Sequence, residues 1–383
     1  MKDSIYLDYA ATSPVLPEVL EEMLPFFTDC YGNPSGVYAT AREARQAVEQ
    51  ARRQIAEAIG AQPAEICFTS GGSESDNMAI QGTARALRAK GCHIITSQIE
   101  HHAVLNCCRQ LEREGCEITY LPVSREGLVD PLDVQKAIRP DTILITVMTS
   151  NNEIGTNEPI GEIGAIAREA GISFHTDAVQ AAGVRKLNVQ DMWVDMLSIS
   201  AHKFYGPKGI GALYIRSGTR MANLIFGGAQ ERGFRAGTEN TAGIVGMGKA
   251  MEIAVRDMEG NGKRIRGLRD YMIREVQKVI PESYLNGPKE CRLDNNCHFS
   301  FAGIDGEALL LRLDLAGIAA SGGSACTSGN REPSHVLKAI GLDEDLMYGS
   351  IRFTLGRGTT LQEIEKAVST TAGIVADLRQ MNR

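Results

Sequence analysis

The segment Ser70–Ser75 (Ser-Gly-Gly-Ser-Glu-Ser) follows a short apolar run, Ile66–Thr69, and precedes a helical pattern. Bare backbone N–H groups at such a strand-to-helix turn, together with the positive end of the helix dipole, can bind a phosphate. A tight turn in which Ser73 caps the helix would produce the same pattern. The segment alone therefore does not identify a ligand.

Two charged residues follow two later apolar runs. Asp177 ends the run that begins at Ile172, and Lys203 comes shortly after the run Met196–Ile199, just before a Gly-Pro break. A lysine in a cleft loses solvation, so it can act as a nucleophile or form a Schiff base. Taken singly, Asp177 could be a capping acid and Lys203 a solvated loop residue.

The three features together match the requirements of pyridoxal 5′-phosphate (PLP). This cofactor needs an anion site for its phosphate, a lysine that binds its aldehyde as an imine, and an acid that keeps the pyridine nitrogen protonated. Lys203 and Asp177 supply the last two groups. His101, after the apolar run at 93–96, is placed to stack on the ring, whereas its neighbour His102 is assigned no role.

Two residues in the carboxyl-terminal third add further chemistry. Cys326 stands in the run Ser321–Asn330, which consists mostly of small residues and predicts an exposed, reactive thiol. Arg352 lies in an apolar run near the end of the chain and could bind a carboxylate with two hydrogen bonds, although strand arginines are commonly surface groups.

The elements that must position these residues alternate between short apolar runs and amphipathic stretches. This alternation predicts an α/β fold with a mostly parallel, buried sheet, whose functional groups lie at the carboxyl ends of the strands. The predicted strands are Ile66–Thr69, His93–Thr96, Ile118–Leu121, Ile143–Met148, Ile172–Thr176, Met196–Ile199 and Gly211–Ile215.

Helical patterns flank this region. A long surface helix is predicted over Gly36–Ile59, with Gly60 at its end, and a final helix over Leu361–Met381. The helical pattern from about Thr241 is expected to break at Gly260-Asn261-Gly262. A domain boundary is predicted there.

The amino-acid composition limits the kinds of partner that the protein could bind. The 40 basic and 47 acidic residues give a net charge of −7 without long runs of like charge, which argues against DNA or an anionic membrane. The apolar runs are far too short for a membrane span, and the amino terminus lacks the pattern of a signal peptide. We expect a cytoplasmic protein with a small-molecule substrate. Nine cysteines without a Cys-x-x-Cys pair predict neither a disulfide framework nor a zinc site.

The chain resembles the cysteine desulfurases of the NifS and IscS kind, in the class V aminotransferase branch of PLP enzymes. The resemblance runs nearly end to end. The segments that carry it are Tyr6–Thr12, Asn33–Ser35, Thr69–Asn77, Asn151–Thr156, His175–Gln180, Ser200–Lys203, Arg235–Thr238 and Ser324–Ser328. It implies an aspartate-aminotransferase-like fold, with a large PLP-binding domain over 16–258 and a small domain formed by 1–15 and 259–383.

The resemblance also implies roles for individual residues. Lys203 would bind the cofactor covalently, Asp177 would pair with the pyridine nitrogen, and Gln180 would bond the ring oxygen. His101 would stack and move protons, while Asn152 and Arg352 would bind the substrate. The phosphate ligands would be Gly72, Ser73, Ser200, His202 and, from the second subunit of a homodimer, Thr238.

The implied reaction converts L-cysteine to L-alanine and leaves a persulfide on Cys326. Its sulfur would serve iron–sulfur cluster biogenesis or thiolation, through an acceptor or scaffold of the IscU or NifU type. The chain ends at Arg383, soon after the last predicted helix. It lacks the longer tail with which some relatives dock a scaffold, so docking is only a hypothesis.

Two other functions remain open at this stage. A plain class V aminotransferase acting on alanine, serine or glyoxylate would have no use for Cys326. A non-catalytic homologue that serves as a partner or sulfur carrier would not need to keep both Lys203 and Asp177.

Overall fold

The computed structural model describes residues 4–322 and 333–382. The strands are β1 (Ile5–Tyr6), β2 (Ile66–Thr69), β3 (His93–Ser97), β4 (Glu117–Leu121), β5 (Thr142–Thr146), β6 (Ser173–Asp177), β7 (Met196–Ser200), β8 (Gly211–Ile215), β9 (Ser283–Leu285), β10 (Asn296–Phe301), β11 (Ile318–Ala319) and β12 (Ser350–Thr354). The helices are α1 (Pro17–Met23), α2 (Pro25–Thr28), α3 (Ala39–Ile59), α4 (Gly72–Ala86), α5 (His102–Arg113), α6 (Pro131–Ala137), α7 (Ile160–Ala170), α8 (Thr241–Val279), α9 (Gly306–Leu315), α10 (His335–Ala339), α11 (Glu344–Tyr348) and α12 (Leu361–Met381).

A seven-stranded sheet in the order β2-β8-β7-β6-β5-β3-β4 carries the site. Only β8 runs against its neighbours, so the prediction of a mainly parallel sheet is confirmed. Strands β2, β3, β5, β7 and β8 are buried along their whole length. Burial on both faces explains why the sequence shows continuous apolar runs there in place of alternation.

A second, smaller sheet lies in the carboxyl-terminal third of the chain. Strands β9, β10 and β12 form it in antiparallel pairs, and β1 from the amino terminus pairs with β11. Ile5 and Leu7 are accordingly buried in the same apolar cluster as Phe299, Ile351 and Ile364. The amino-terminal segment therefore packs with the carboxyl-terminal third, and the division 1–15 plus 259–383 stays a prediction.

Helix α8 contradicts one expectation. It runs unbroken for 39 residues through Gly260-Asn261-Gly262. Each glycine costs only about 1 kcal/mol relative to alanine in a helix interior, and packing at both ends offsets that cost. Met247 and Met251 lie in the apolar cluster of the large sheet, whereas Met272 and Val276 lie in that of the small one. The helix thus crosses the proposed domain boundary.

The structure joins Cys92 and Cys116 in a single disulfide, whereas the other six cysteines that it describes are free. The two residues immediately precede β3 and β4, which pair in parallel with His93 opposite Glu117. Strand register therefore places the two sulfurs side by side at the edge opposite to the strands' carboxyl ends. The spacing of these two cysteines in the sequence did not predict that they would pair.

The other two predicted helices agree closely with the structure. Helix α3 begins three residues later than expected and ends at Ile59, and Gly60 follows it with a φ of 70°, which suits a glycine cap. Helix α12 has the predicted bounds. Among residues 4–322 and 333–382, no helix is long and apolar enough to cross a membrane.

Candidate active site

A cavity of about 360 Å³ opens where β2, β6 and β7 end. This is the edge at which a parallel sheet collects functional groups. Ten residues that the sequence assigns to the site line it: Gly72, Ser73, His101, Asn152, Asp177, Gln180, Ser200, His202, Lys203 and Arg352. The segments that carry these residues are far apart in sequence, so the fold brings them together.

The phosphate end of the cavity is the start of α4. Gly71 is the N-cap residue, and no side chain caps the helix, so the alternative in which Ser73 acts as the cap does not hold. A Cβ on Gly72 would come within 2.6 Å of the Val179 side chain, so only glycine fits without displacement. Backbone N–H groups of this first turn remain available for an anion.

Lys203 and Gln180 are both held by the same stretch of main chain. The Lys203 Nζ donates to the carbonyl oxygens of Ala10 and Ala11, at 2.6 and 2.8 Å. Gln180 Nε2 donates to Ala10 O at 3.0 Å. The amino-terminal segment thus fixes the direction of the lysine, a contact that no motif in the sequence predicts.

His202 lies beside Lys203 and contacts the Thr12 hydroxyl at 3.1 Å through Nδ1. Burial, followed by the charges of Lys203 and Lys208, lowers the pKa of His202 to about 4. The imidazole is therefore neutral at physiological pH. It can donate one hydrogen bond to an anion without placing a second full charge beside Lys203.

His101 occupies the N-cap position of α5. Its Nδ1 accepts a hydrogen bond from the Ala103 N–H at 3.2 Å. A ring nitrogen that accepts carries no hydrogen, so with this hydrogen bond the ring proton of His101 is on Nε2. This tautomer directs a proton donor into the cavity and fixes the ring beside Asp177.

Asp177 is the last residue of β6 and lines the cavity. Its Oδ1 accepts the Val179 N–H at 2.8 Å. Burial raises the pKa of Asp177, while the neighbouring His101 and Lys203 favour its ionised form. A buried carboxylate in this position can hold a proton on a ring nitrogen.

Arg352 on β12 crosses from the small sheet to the cavity. Its Nη1 donates to Asn152 O at 2.8 Å and its Nη2 to Asp8 Oδ1 at 2.9 Å. Its Nε has no hydrogen-bond partner in the described part of the chain. The guanidinium is 4% exposed, so it can bind a carboxylate in a poorly solvated site.

Several groups in or beside the cavity were not found from the sequence. They are Asp8, Asp76, Glu153 and His335, together with His102, which was assigned no role although it lines the cavity. Asp76 lies in Thr69–Asn77, one of the segments that carry the family resemblance, and follows Ser73 by one helical turn. That spacing could have indicated that Asp76 shares the site with Ser73. His102 and His335 contact each other with ring centroids 4.8 Å apart, a pairing that only the fold reveals.

Two residues that the sequence assigns to the site, Cys326 and Thr238, are not among the described residues that line the cavity. Cys326 lies outside the described residues. The flanking residues are attached beside the cavity, since Ser321 exchanges two backbone hydrogen bonds with Arg352 and the Ser334 hydroxyl donates to Glu153. Thr238 is exposed and does not line the cavity of its own chain.

The donor set fits PLP from end to end. The glycine cradle suits a phosphate, and Lys203 and the buried Asp177 line the same cavity, so they supply the amine and the acid that this cofactor needs. When bound, this cofactor supplies an electron sink for charge that develops on an amino acid's α-carbon. The arrangement defines a PLP-dependent transferase site.

Comparison with known proteins agrees with this class. Residues 5–367 match the family Aminotransferase class-V. Cysteine desulfurase IscS of Dictyoglomus turgidum is 58% identical over 382 residues, which cover 100% of this chain and 97% of the relative. A solved structure described as a NifS-like protein has a TM-score of 0.93 at 36% identity, covering 98% of this chain and 100% of that one. A structure of SspA in complex with cysteine has a TM-score of 0.82 at 41% identity, covering 92% and 99%.

The chain belongs to the class V aminotransferase family and, within it, to the cysteine desulfurases of the NifS and IscS kind. The sequence-based predictions of family, fold class and PLP as cofactor are confirmed. The residue roles and the domain boundaries remain predictions.

Proposed function

We propose that this protein is a PLP-dependent L-cysteine desulfurase that converts L-cysteine to L-alanine and forms a persulfide on Cys326. The observation that carries the proposal is the attachment of the residues flanking Cys326. Ser321 pairs with Arg352, and His335 lines the cavity that holds Lys203. A plain aminotransferase has no need for a cysteine-bearing segment whose flanking residues are both attached beside the active site.

Arg352 binds the α-carboxylate of the substrate in this proposal. A guanidinium in a dry site matches a carboxylate in charge and in planar geometry. Asp8 and the Asn152 carbonyl hold it in place through the two Nη atoms, at 2.9 and 2.8 Å. Binding the carboxylate there orients the substrate's amino group toward Lys203.

Lys203 would hold the cofactor, which when bound would supply an electron sink, and its Nζ removes the proton from the substrate's α-carbon. The nearby carbonyls of Ala10 and Ala11 keep the amine in place, so the base acts at a high effective concentration. His101, with its proton on Nε2, is the matching acid on the side of Asp177.

Cys326 takes the sulfur as a thiolate. Its Sγ attacks the substrate Sγ, and an S–S bond forms as the substrate's Cβ–S bond breaks. The electron pair of the broken bond returns to the carbon skeleton, which gains one proton at Cβ, regains at Cα the proton that Lys203 removed, and leaves as alanine. The outer sulfur of the Cys326 persulfide then passes to an acceptor for iron–sulfur cluster biogenesis or thiolation, for which a scaffold of the IscU or NifU type is our candidate.

A homodimer completes the phosphate site in this proposal. Thr238 is exposed and outside the cavity of its own chain, which supports a role in the second subunit. Large apolar side chains are also exposed near the amino-terminal helices and near Thr238, among them Phe27, Tyr31 and Phe226. Exposed apolar groups of this size mark interaction surfaces. We also propose a cytoplasmic location, as the sequence predicts.

Product analysis tests the proposed function. Purified protein is incubated with PLP, L-cysteine and a thiol reductant, and alanine and sulfide are quantified for the wild type and for Cys326→Ser. Equimolar alanine and sulfide that are lost in Cys326→Ser are expected. A keto-acid product without sulfide, unaffected by the substitution, would overturn the proposal in favour of transamination. Cys30→Ser is the matched control, because Cys30 lies outside the cavity.

A further inference from the structure

A second buried carboxyl group lies beside Asp177 in the same cavity. Asp76 is in the second turn of α4 and is 1% exposed. Its Oδ1 has no hydrogen-bond partner among residues 4–322 and 333–382. A buried ionised carboxylate with an unpartnered oxygen is costly, so the position calls for an explanation.

The geometry makes Asp76 and Asp177 a pair. One carboxyl oxygen of each and one ring nitrogen of His101 all lie within 4.8 Å of one another. Two carboxylates this close, away from water, cannot both ionise near neutral pH, so the pair retains one proton. The question is which of the two acids holds it.

The surroundings favour Asp76. Asp177 accepts the Val179 N–H and has His101 and Lys203 near it, and all three favour its charged form. His101 lies within 4.8 Å of both acids, and among the described residues Asp76 has one further basic neighbour at ion-pair distance, His175, with Nε2 3.7 Å from Oδ1. Burial lowers the pKa of His175 to about 3, so this ring brings no positive charge.

The other groups that face Asp76 agree with this assignment. Burial and then the charge of Asp177 raise the pKa of Asp76 well above its usual range, and Glu100 from the loop before α5 adds to the effect. Hydrogen bonding by Ser198 on β7 acts in the opposite direction. The Ser198 hydroxyl also contacts His175 Nε2 at 2.9 Å, so it is shared between the two groups.

We infer that Asp76 is a positioning residue that holds the proton of the pair, so that Asp177 carries its single negative charge toward the cofactor's ring nitrogen. The inference rests on the proposed function for the identity of the ligand. The protonation of Asp76 is a property of the chain itself, and it can be measured without the cofactor.

The first experiment is carbon-13 NMR of the apoprotein labelled at the aspartate γ-carbons. The Asp76 resonance is identified as the one lost in Asp76→Asn, or in Asp76→Ser if the first variant does not fold. We expect it at the position of a neutral carboxyl at pH 7. In Asp177→Asn the midpoint of its titration should fall by at least one pH unit, because the neighbouring charge is gone. A carboxylate position at pH 7 would overturn the inference.

The second experiment measures PLP binding by the absorbance of the bound cofactor. An asparagine is neutral like a protonated aspartate, so Asp76→Asn should change the dissociation constant by less than threefold. Asp177→Asn, which removes the charge, should raise it at least tenfold. Equal losses in both variants would overturn the inference. Asp133→Asn, on the surface of α6, is the control.

The two experiments separate this inference from the proposed function. A wild-type apoprotein that does not bind PLP would contradict the proposed function, while the carbon-13 result would still decide the protonation of Asp76.

Discussion

Two buried arginines in neighbouring parts of the molecule use their hydrogen-bond donors differently. Arg292, 3% exposed, precedes β10, and among the described residues its guanidinium donates to neutral groups. The acceptors for its Nε, Nη1 and Nη2 are Pro288 O at 2.7 Å, Asn296 Oδ1 at 2.9 Å and Asn286 O. Burial lowers the pKa of Arg292 to about 10. Its three nitrogens all have acceptors, as expected of a group that supports structure.

Arg352 has the same burial but a different set of contacts. Its two Nη atoms reach Asp8 and the Asn152 carbonyl, and its Nε is left without a partner among the described residues. The side chain also borders the cavity. Comparing the two arginines separates a cation that holds a fold together from one that is held in place for a ligand. An unsatisfied donor at a cavity wall is the distinguishing sign.

The largest expected effect is that of Arg352→Leu on catalysis. Removing two charge-assisted hydrogen bonds to the substrate carboxylate should lower kcat/KM for L-cysteine by about 10³-fold, since each such bond contributes about 1.5–3 kcal/mol. Initial rates of alanine formation give the measurement. Arg185→Leu, outside the cavity, is the control. A loss below fivefold would contradict the assignment of Arg352.

Arg292→Met should have the opposite profile. The carbonyl groups of Pro288 and Asn286 would lose their donor in a buried site, and each unsatisfied group costs about 1–3 kcal/mol. We expect the free energy of unfolding to fall by about 3 kcal/mol, with kcat/KM of the folded protein within threefold of the wild type. Urea unfolding followed by circular dichroism measures the first quantity. A large catalytic loss in a stable variant would remove the distinction between the two arginines.

Sequence patterns predicted the parts of the fold that depend on local periodicity. The bounds of β2, β8 and α12 match the prediction. Helix α8 does not, because local sequence weighs Gly260 and Gly262 as breaks, whereas contacts with both apolar clusters maintain the helix. Contacts with distant parts of the chain can thus stabilise a helix without leaving any pattern in its own sequence.

Part of the candidate site could likewise be predicted from the sequence, and part could not. Lys203, Asp177 and the Ser70–Ser75 turn follow predicted strands, so their convergence could be expected from the topology of a parallel sheet. Asp8 and the carbonyls of Ala10 and Ala11 reach the site through the pairing of β1 with β11, which is a contact between the two ends of the chain. Local patterns do not encode long-range pairings of two-residue strands.

The smallest expected effect concerns a buried acid outside the cofactor cavity, Glu158. Its Oε2 accepts the Val129 N–H at 2.9 Å, and burial raises its pKa to about 8. An acid whose pKa is higher in the folded than in the unfolded protein is held protonated by folding. Its contribution to stability therefore falls as the pH rises from about 4.5 toward 8. Like Arg292, it is a buried ionisable group without a ligand to bind.

Glu158→Gln should remove this pH dependence, because glutamine resembles the protonated acid and does not titrate. Relative to the wild type, the variant should gain roughly 2 kcal/mol of unfolding free energy between pH 5 and pH 6.5, since one unit of pKa shift corresponds to about 1.4 kcal/mol. Urea unfolding at the two pH values, at one protein concentration, gives the difference. The exposed Glu57→Gln should show no such gain. Parallel curves for Glu158→Gln and the wild type would mean that Glu158 is ionised in the folded protein.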